Sequence, residues 1–150
     1  MKLPKGVTGF RRSMRAPPLP ETDVRAFRSH CYAAARAAGG VVLGFEEPYR
    51  YANNFAACTI RLPSGPVAVL LNAHFPLLGL ALPPADGEIE LRFADAPALA
   101  AAFREFGGYE VLDRTVLEGP LTDEAAADLA GEIKHPQSVR LGDVVFNSWD

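Results

Sequence analysis

The apolar positions of this chain follow three kinds of pattern, and each predicts a different element. Between residues 22 and 38, Val24, Phe27, Cys31, Ala34, Ala35 and Ala38 recur at three- and four-residue spacing until Gly39-Gly40. That is the stripe of an amphipathic helix begun by Glu21 or Thr22, with Arg25, Arg28, Ser29 and Arg36 facing outward and His30 at the edge of the stripe. Residues 51–82 are instead the longest low-charge apolar stretch, divided by Pro63-Ser64-Gly65-Pro66. Turn chemistry between two arms rich in β-branched and aromatic residues predicts a hairpin with strands at 54–62 and 66–75. In its second arm Val67, Val69, Leu71 and Ala73 face one way and Ala68, Leu70, Asn72 and His74 the other, so both faces are largely apolar and the strand belongs inside its sheet. The third pattern is alternation at 88–93, with Ile89, Leu91 and Phe93 inward and Glu88, Glu90 and Arg92 outward.

The remaining segments follow from their punctuation. Residues 41–45 form a short strand broken by Glu46-Glu47-Pro48. Pro76 removes a ladder donor, so 77–82 is either a bent continuation of the hairpin or a new strand. Asp95 is placed to cap a helix at 96–106 with Leu99, Phe103 and Phe106 inward, and Gly107-Gly108 ends it. Residues 109–117 read as a strand. Thr122 caps an acidic helix at 123–133 with Ala126, Leu129, Ala130 and Ile133 inward, and 139–147 reads as the last strand. The predicted fold is α+β: a mostly antiparallel sheet, an N-terminal helix packed on one face, and two shorter helices between the later strands. A mixed sheet is the alternative, because those helices can serve as crossovers.

Composition changes this picture at the N-terminus and in the charge. With 150 residues, 49% of them hydrophobic and 22% charged, the chain suits one domain with its own core, placed at 21–150. Residues 1–20 hold four prolines, Lys2, Lys5, Arg11, Arg12 and Arg15 and no acid, which predicts an extended basic arm. Only Phe10 is interleaved among those charges, so a solvated terminus is preferred to a nucleic-acid contact. No apolar h-region follows Met1, and Arg61, Pro63, Pro66 and Pro76 interrupt the apolar stretch well before the ~20 residues of a membrane span. The expected location is the cytoplasm. Residues 1–61 carry ten Lys and Arg against four acids, whereas 62–150 carry five against fourteen. Such asymmetry bears on partners, unless folding interleaves the halves and spreads both signs.

Residues able to carry chemistry are His30, His74, His135, Cys31 and Cys58, and no two of them form a local motif. Both cysteines fall on apolar positions and read as buried, reduced thiols. Cys58 and His74 lie on the two arms of the hairpin and are the pair from which a Cys/His hydrolase or transferase would be built, although they are not directly opposite. His74 alone reads as a hydrogen-bonded sheet histidine. Asn53-Asn54 read as backbone caps or as functional amides. Phosphate-binding glycine loops, the nucleophile-elbow pentapeptide, the helical zinc-protease pattern and the EF-hand loop do not occur, and no cofactor is expected.

The last eighteen residues, from Ile133, contain Gly142-Asp143-Val144-Val145-Phe146-Asn147 followed by Trp149-Asp150. This ending resembles that of small bacterial proteins encoded near secreted toxins and regarded as immunity proteins, with His135-Pro136 standing where their pattern has an aromatic pair. The resemblance implies a non-enzymatic cytoplasmic protein that neutralises a toxin by binding it. The acidic second half then points to a basic toxin domain as partner, met by Asp123, Glu124 and Asp128 on the acidic helix.

Overall fold

The computed structural model describes residues 2–9, 18–49, 53–85, 90–129 and 139–147. Helix α1 spans Val24–Ala37, and its N-cap is Asp23, whose side chain accepts the Ala26 N–H at 2.9 Å. Thr22 is drawn away from the expected cap because its hydroxyl donates to the carbonyls of Asn72 and Ala73. Strands β1 (Val41–Glu46), β2 (Phe55–Leu62), β3 (Gly65–Asn72) and β4 (Leu77–Leu82) follow as an antiparallel meander. The hairpin closes across Leu62 and Gly65. Residues 77–82 are thus a new strand, and β3 lies between β2 and β4 with both faces buried, as its two-sided pattern requires.

Strand β5 (Arg92–Phe93) pairs antiparallel with one end of β4. Helix α2 (Pro97–Phe106) then carries the chain back, Gly107 and Gly108 reverse it at φ 74° and 81°, and β6 (Glu110–Val111) pairs parallel with the other end of β4. The result is an α+β fold on a six-stranded, mostly antiparallel sheet in which α2 is the crossover to the one parallel pair. Of the strand expected at 88–93 only the last two residues pair among those described, and Leu91 is half-buried. Ala96, not Asp95, occupies the N-cap of α2, because Pro97 sets the first helical residue one position later than the expected cap requires. Phe106, expected inward, is 38% exposed.

Two segments read as strands are helical. Residues 109–117 pair only at Glu110–Val111, after which α3 (Arg114–Glu118) forms, buries Leu117 and places Arg114 3.0 Å from Glu118 one turn on. Residues 139–147 hold α5 (Leu141–Val145). Here the Asp143 carboxylate accepts both the backbone N–H and the guanidinium of Arg140 at the helix start, and Leu141, Val144 and Val145 meet the core at helical spacing. Between them α4 (Asp123–Asp128) is capped by Thr122, whose hydroxyl accepts the Ala125 N–H at 3.1 Å. Its inward residues are Ala125 and Leu129; Ala126 is only half-buried, and the expected continuation to 133 lies outside the described residues.

Both faces of the sheet are covered. On one, α1 and α2 set Phe27, Cys31, Ala34, Leu99 and Phe103 against Cys58, Ile60, Val69 and Leu80. On the other, Leu117, Leu129, Val145 and Phe146 from α3 to α5 lie on Leu70, Leu77 and Ala81. Full burial of each Leu, Ile, Val or Phe among them stabilises by about 1.5–3 kcal/mol. Residues 2–9, expected in an extended arm, join this second face: they turn back on themselves and bury Leu3 and Val7, because these two residues are apolar and the Val7 carbonyl accepts from Asn54 and Asn72. No helix among the described residues is long and apolar enough to cross a membrane.

Candidate functional site

The most polar part of the interior lies where β2 begins and β3 ends. Asn54 and Asn72 are fully buried there, and each donates its side-chain amide to the carbonyls of Val7 and Val145. The Asn54 side-chain carbonyl accepts the Asn147 N–H, and that of Asn72 accepts the N–H groups of His74 and Phe75 at 2.9 and 3.0 Å. Every polar atom of the two amides is satisfied by backbone, which leaves none to face a ligand. Asn54 therefore serves the backbone, as one of its two sequence readings has it. Asn53 differs: it is buried, and its Oδ1 has no hydrogen-bond partner among the described residues.

By turning the chain after β3, Asn72 presents His74. Its Nδ1 stands 2.7 Å from the Pro20 carbonyl, which can only accept, so Nδ1 carries the proton and in the neutral ring Nε2 accepts the Tyr49 hydroxyl. Tyr49 holds a left-handed backbone at φ 64° and donates its own N–H to the Asn53 carbonyl at 2.7 Å. Burial raises the pKa of its hydroxyl, keeping it a phenol. The two rings wall a cleft of about 270 Å³ that Glu21, Thr22 and Glu47 also line. It offers an aromatic wall, two hydroxyls, an imidazole and two carboxylates, but no thiol among the described residues.

Cys58 lies elsewhere. It pairs in register with Val69 inside β3, whereas His74 lies beyond the end of that strand, after the chain has turned at Asn72. Its side chain turns beneath α1, where it shares a hydrogen bond with Cys31; both are free thiols with no exposed surface. That hydrogen bond, then burial, push the Cys31 thiol up. The same bond lowers Cys58, with Arg28 acting in the same sense and burial against it. Buried thiols of this kind are inert. The structure thus brings together Cys31 and Cys58, not Cys58 and His74.

His30 closes the seam between α1 and α2. Its Nδ1 lies 2.6 Å from the Tyr109 hydroxyl and its ring stacks on Phe106 at 4.7 Å. Burial, followed by the proximity of Cys31 and Asp23, pushes Tyr109 up to about 12. His135 lies outside the described residues. Two depressions of about 320 and 500 Å³ flank β5 and α3; in the first Arg104 pairs with Asp113 at 2.9 Å, and in the second Arg140 pairs with Asp143 at 2.7 Å.

Asp123 and Glu124 are exposed in the first turn of α4, and Asp128 is its last residue. Neither Asp123 nor Glu124 forms an ion pair among the described residues. Arg25, Arg28 and Arg36, the charged residues of α1, are exposed on the opposite side of the sheet. On these two helices folding keeps the signs apart instead of interleaving them. What the sequence reading missed was Asn72 and Tyr49. The signal for Asn72 was available, since an amide within an apolar two-sided strand needs buried partners; nothing local marks Tyr49. Comparison with protein-family models, with curated proteins and with solved structures finds no match.

Proposed function

We propose that this chain is a non-enzymatic binding protein of the immunity type, which occludes a basic toxin domain in the cytoplasm of the producing cell. The observation that carries the reading is the pair Asp123 and Glu124, which are exposed and have no counter-ion among the described residues at the start of a capped helix. A basic partner would supply the missing charge, and complementary charge raises encounter rates and rejects wrong partners. The separation of Cys58 from His74 weighs against the hydrolase alternative. The ending that resembles immunity proteins buries Leu141, Val144, Val145 and Phe146. Toxin-facing residues are therefore to be sought outside that ending, and α4 supplies them.

The test is co-expression with the product of the neighbouring gene. Restored growth supports the reading, and a harmless product or an unrescued toxin removes it. With a binding partner in hand, Asp123→Lys with Glu124→Lys should slow association and flatten its dependence on salt, as read by stopped flow. An unchanged rate and salt slope would take α4 out of the interface.

A further inference from the structure

Strand β1 is bonded to β2 along one edge, and its other edge pairs with no strand among those described. A free edge presents a row of N–H and C=O groups to any extended chain, and proteins commonly blunt it with Lys, Pro, a β-bulge or a very short strand. The opposite side of this sheet is blunted in that way, by β5 and β6 with two residues each. β1 is six residues long, its run Val41-Val42-Leu43-Gly44-Phe45 holds no charge and no proline, and Val41 and Leu43 are each 53% exposed. Its one irregularity is a bulge between Val42 and Gly44, where a side chain added to Gly44 would meet open space.

The two sides of this edge differ in chemistry. Val42 lies opposite Ile60 and, like Phe45, packs against the α1 layer, so by alternation Val41 belongs to the far side. Above Phe45, α1 lays the Arg28 guanidinium 5.1 Å from the ring centroid. Arg25, Tyr32 and Arg36 continue that exposed stripe at three- and four-residue spacing, while His30, on the other flank of the helix, turns to α2. A strand laid beside β1 would meet the guanidinium groups of α1 on one face and exposed Val41 and Leu43 on the other, where Arg61 lies across from Val41 and Glu46 ends the strand.

We propose that β1 is a strand-addition site for an extended segment of a partner protein in which Asp or Glu alternates with apolar residues. The acids would rise to Arg25, Arg28 and Arg36, the apolar residues would cover Val41 and Leu43, and the main chain would complete the ladder. A second copy of this chain fits less well, because pairing two β1 edges about a two-fold axis turns two arginine rows toward each other. The inference does not depend on the toxin reading, whose partner is basic and meets the other side of the sheet.

Amide hydrogen exchange of the whole chain tests it, with a capped decapeptide of alternating valine and glutamate as probe. At ten times its Kd the peptide should slow exchange of the outward β1 amides about elevenfold, and added salt should weaken it. The valine–lysine peptide, and the glutamate peptide with a central proline, should not protect β1. Leu43→Lys should abolish protection, with Val41→Lys as the second variant should the first fail to fold. Arg25→Glu with Arg28→Glu should reverse the preference toward the lysine peptide. No protection of β1, or equal protection by both charged peptides or by the proline peptide, would overturn the proposal. So would a dimer of the chain alone that Leu43→Lys dissociates.

Discussion

Asn54 and Asn72 aim their side-chain amides at the same two acceptors, the carbonyls of Val7 and Val145, at 2.7 to 3.2 Å. Four hydrogen bonds therefore tie the N-terminal segment, the mouth of the hairpin and the end of α5 into one closed, buried ring.

Because each amide satisfies several groups at once, its removal orphans more than one. Asn72→Ala would strip the acceptor from the His74 and Phe75 N–H groups and leave the Val7 and Val145 carbonyls with Asn54 alone. At about 1–3 kcal/mol for a buried polar group left unpaired, the expected loss is more than about 3 kcal/mol in urea denaturation. In a double-mutant cycle Asn54→Ala and Asn72→Ala should couple by about 1 kcal/mol or more through their shared acceptors. Additive losses would mean that the two amides act separately.

Glycine substitutions should separate close packing from open space. A Cβ on Gly142 would run into the Phe93 ring and lie 2.9 Å from the Leu117 carbonyl. Gly142→Ala should cost about 1–3 kcal/mol as an overpacked core position. Gly44→Ala should stay within about 0.5 kcal/mol of the parent, as a surface change does. Equal thermal midpoints for the two variants would contradict the placement of α5.

Alkaline pH should act through Tyr109. Its folded pKa, about 12, lies above the ordinary value of 10.0, so the native state holds this proton more tightly than the unfolded chain. The stability it contributes is complete below about pH 10 and is lost as pH rises from there through 12. The stability gap between the parent and Tyr109→Phe should narrow over that window. A gap constant from pH 9 to 12 would show that the hydroxyl is not shielded between α1 and α2.

The two thiols should be intact and slow. Cys31 and Cys58 are free and without exposed surface, so the unreduced protein should have the mass of the dithiol. Alkylation under native conditions should wait on opening of α1 from the sheet. A mass short by two hydrogens, or labelling as fast as in denaturant, would refute this packing.

The candidate site was legible in the sequence only in part. Asp123 and Glu124 could be placed on an exposed first turn because Thr122 marks the cap and the apolar spacing marks the inner face. His74 could be assigned to the end of the hairpin, yet its partners Tyr49 and Pro20 come from loops whose paths no local pattern reports. The neighbour of Cys58 was hidden for a related reason. Alternation assigns it a face but not the helix lying on that face, and α1 delivers Cys31 there.

By itself the sequence determined α1, the hairpin, the central place of β3, the body of α2 and the Thr122 cap, because period, turn residues and capping side chains act within a few residues of one another. Tertiary structure decided the rest. Residues 109–117 and 139–147 are short apolar runs compatible with either period, and partners remote in sequence chose the helical one for the last four residues of the first and for the core of the second: Leu117 enters the core, Arg140 donates to the Leu91 carbonyl at 2.8 Å, and the Phe93 ring lies over Gly142. The docking of residues 2–9 depends likewise on Asn54 and Asn72, 47 and 65 residues beyond Val7. A buried amide is satisfied by whatever carbonyl the fold brings to it, and sequence spacing carries no record of that distance.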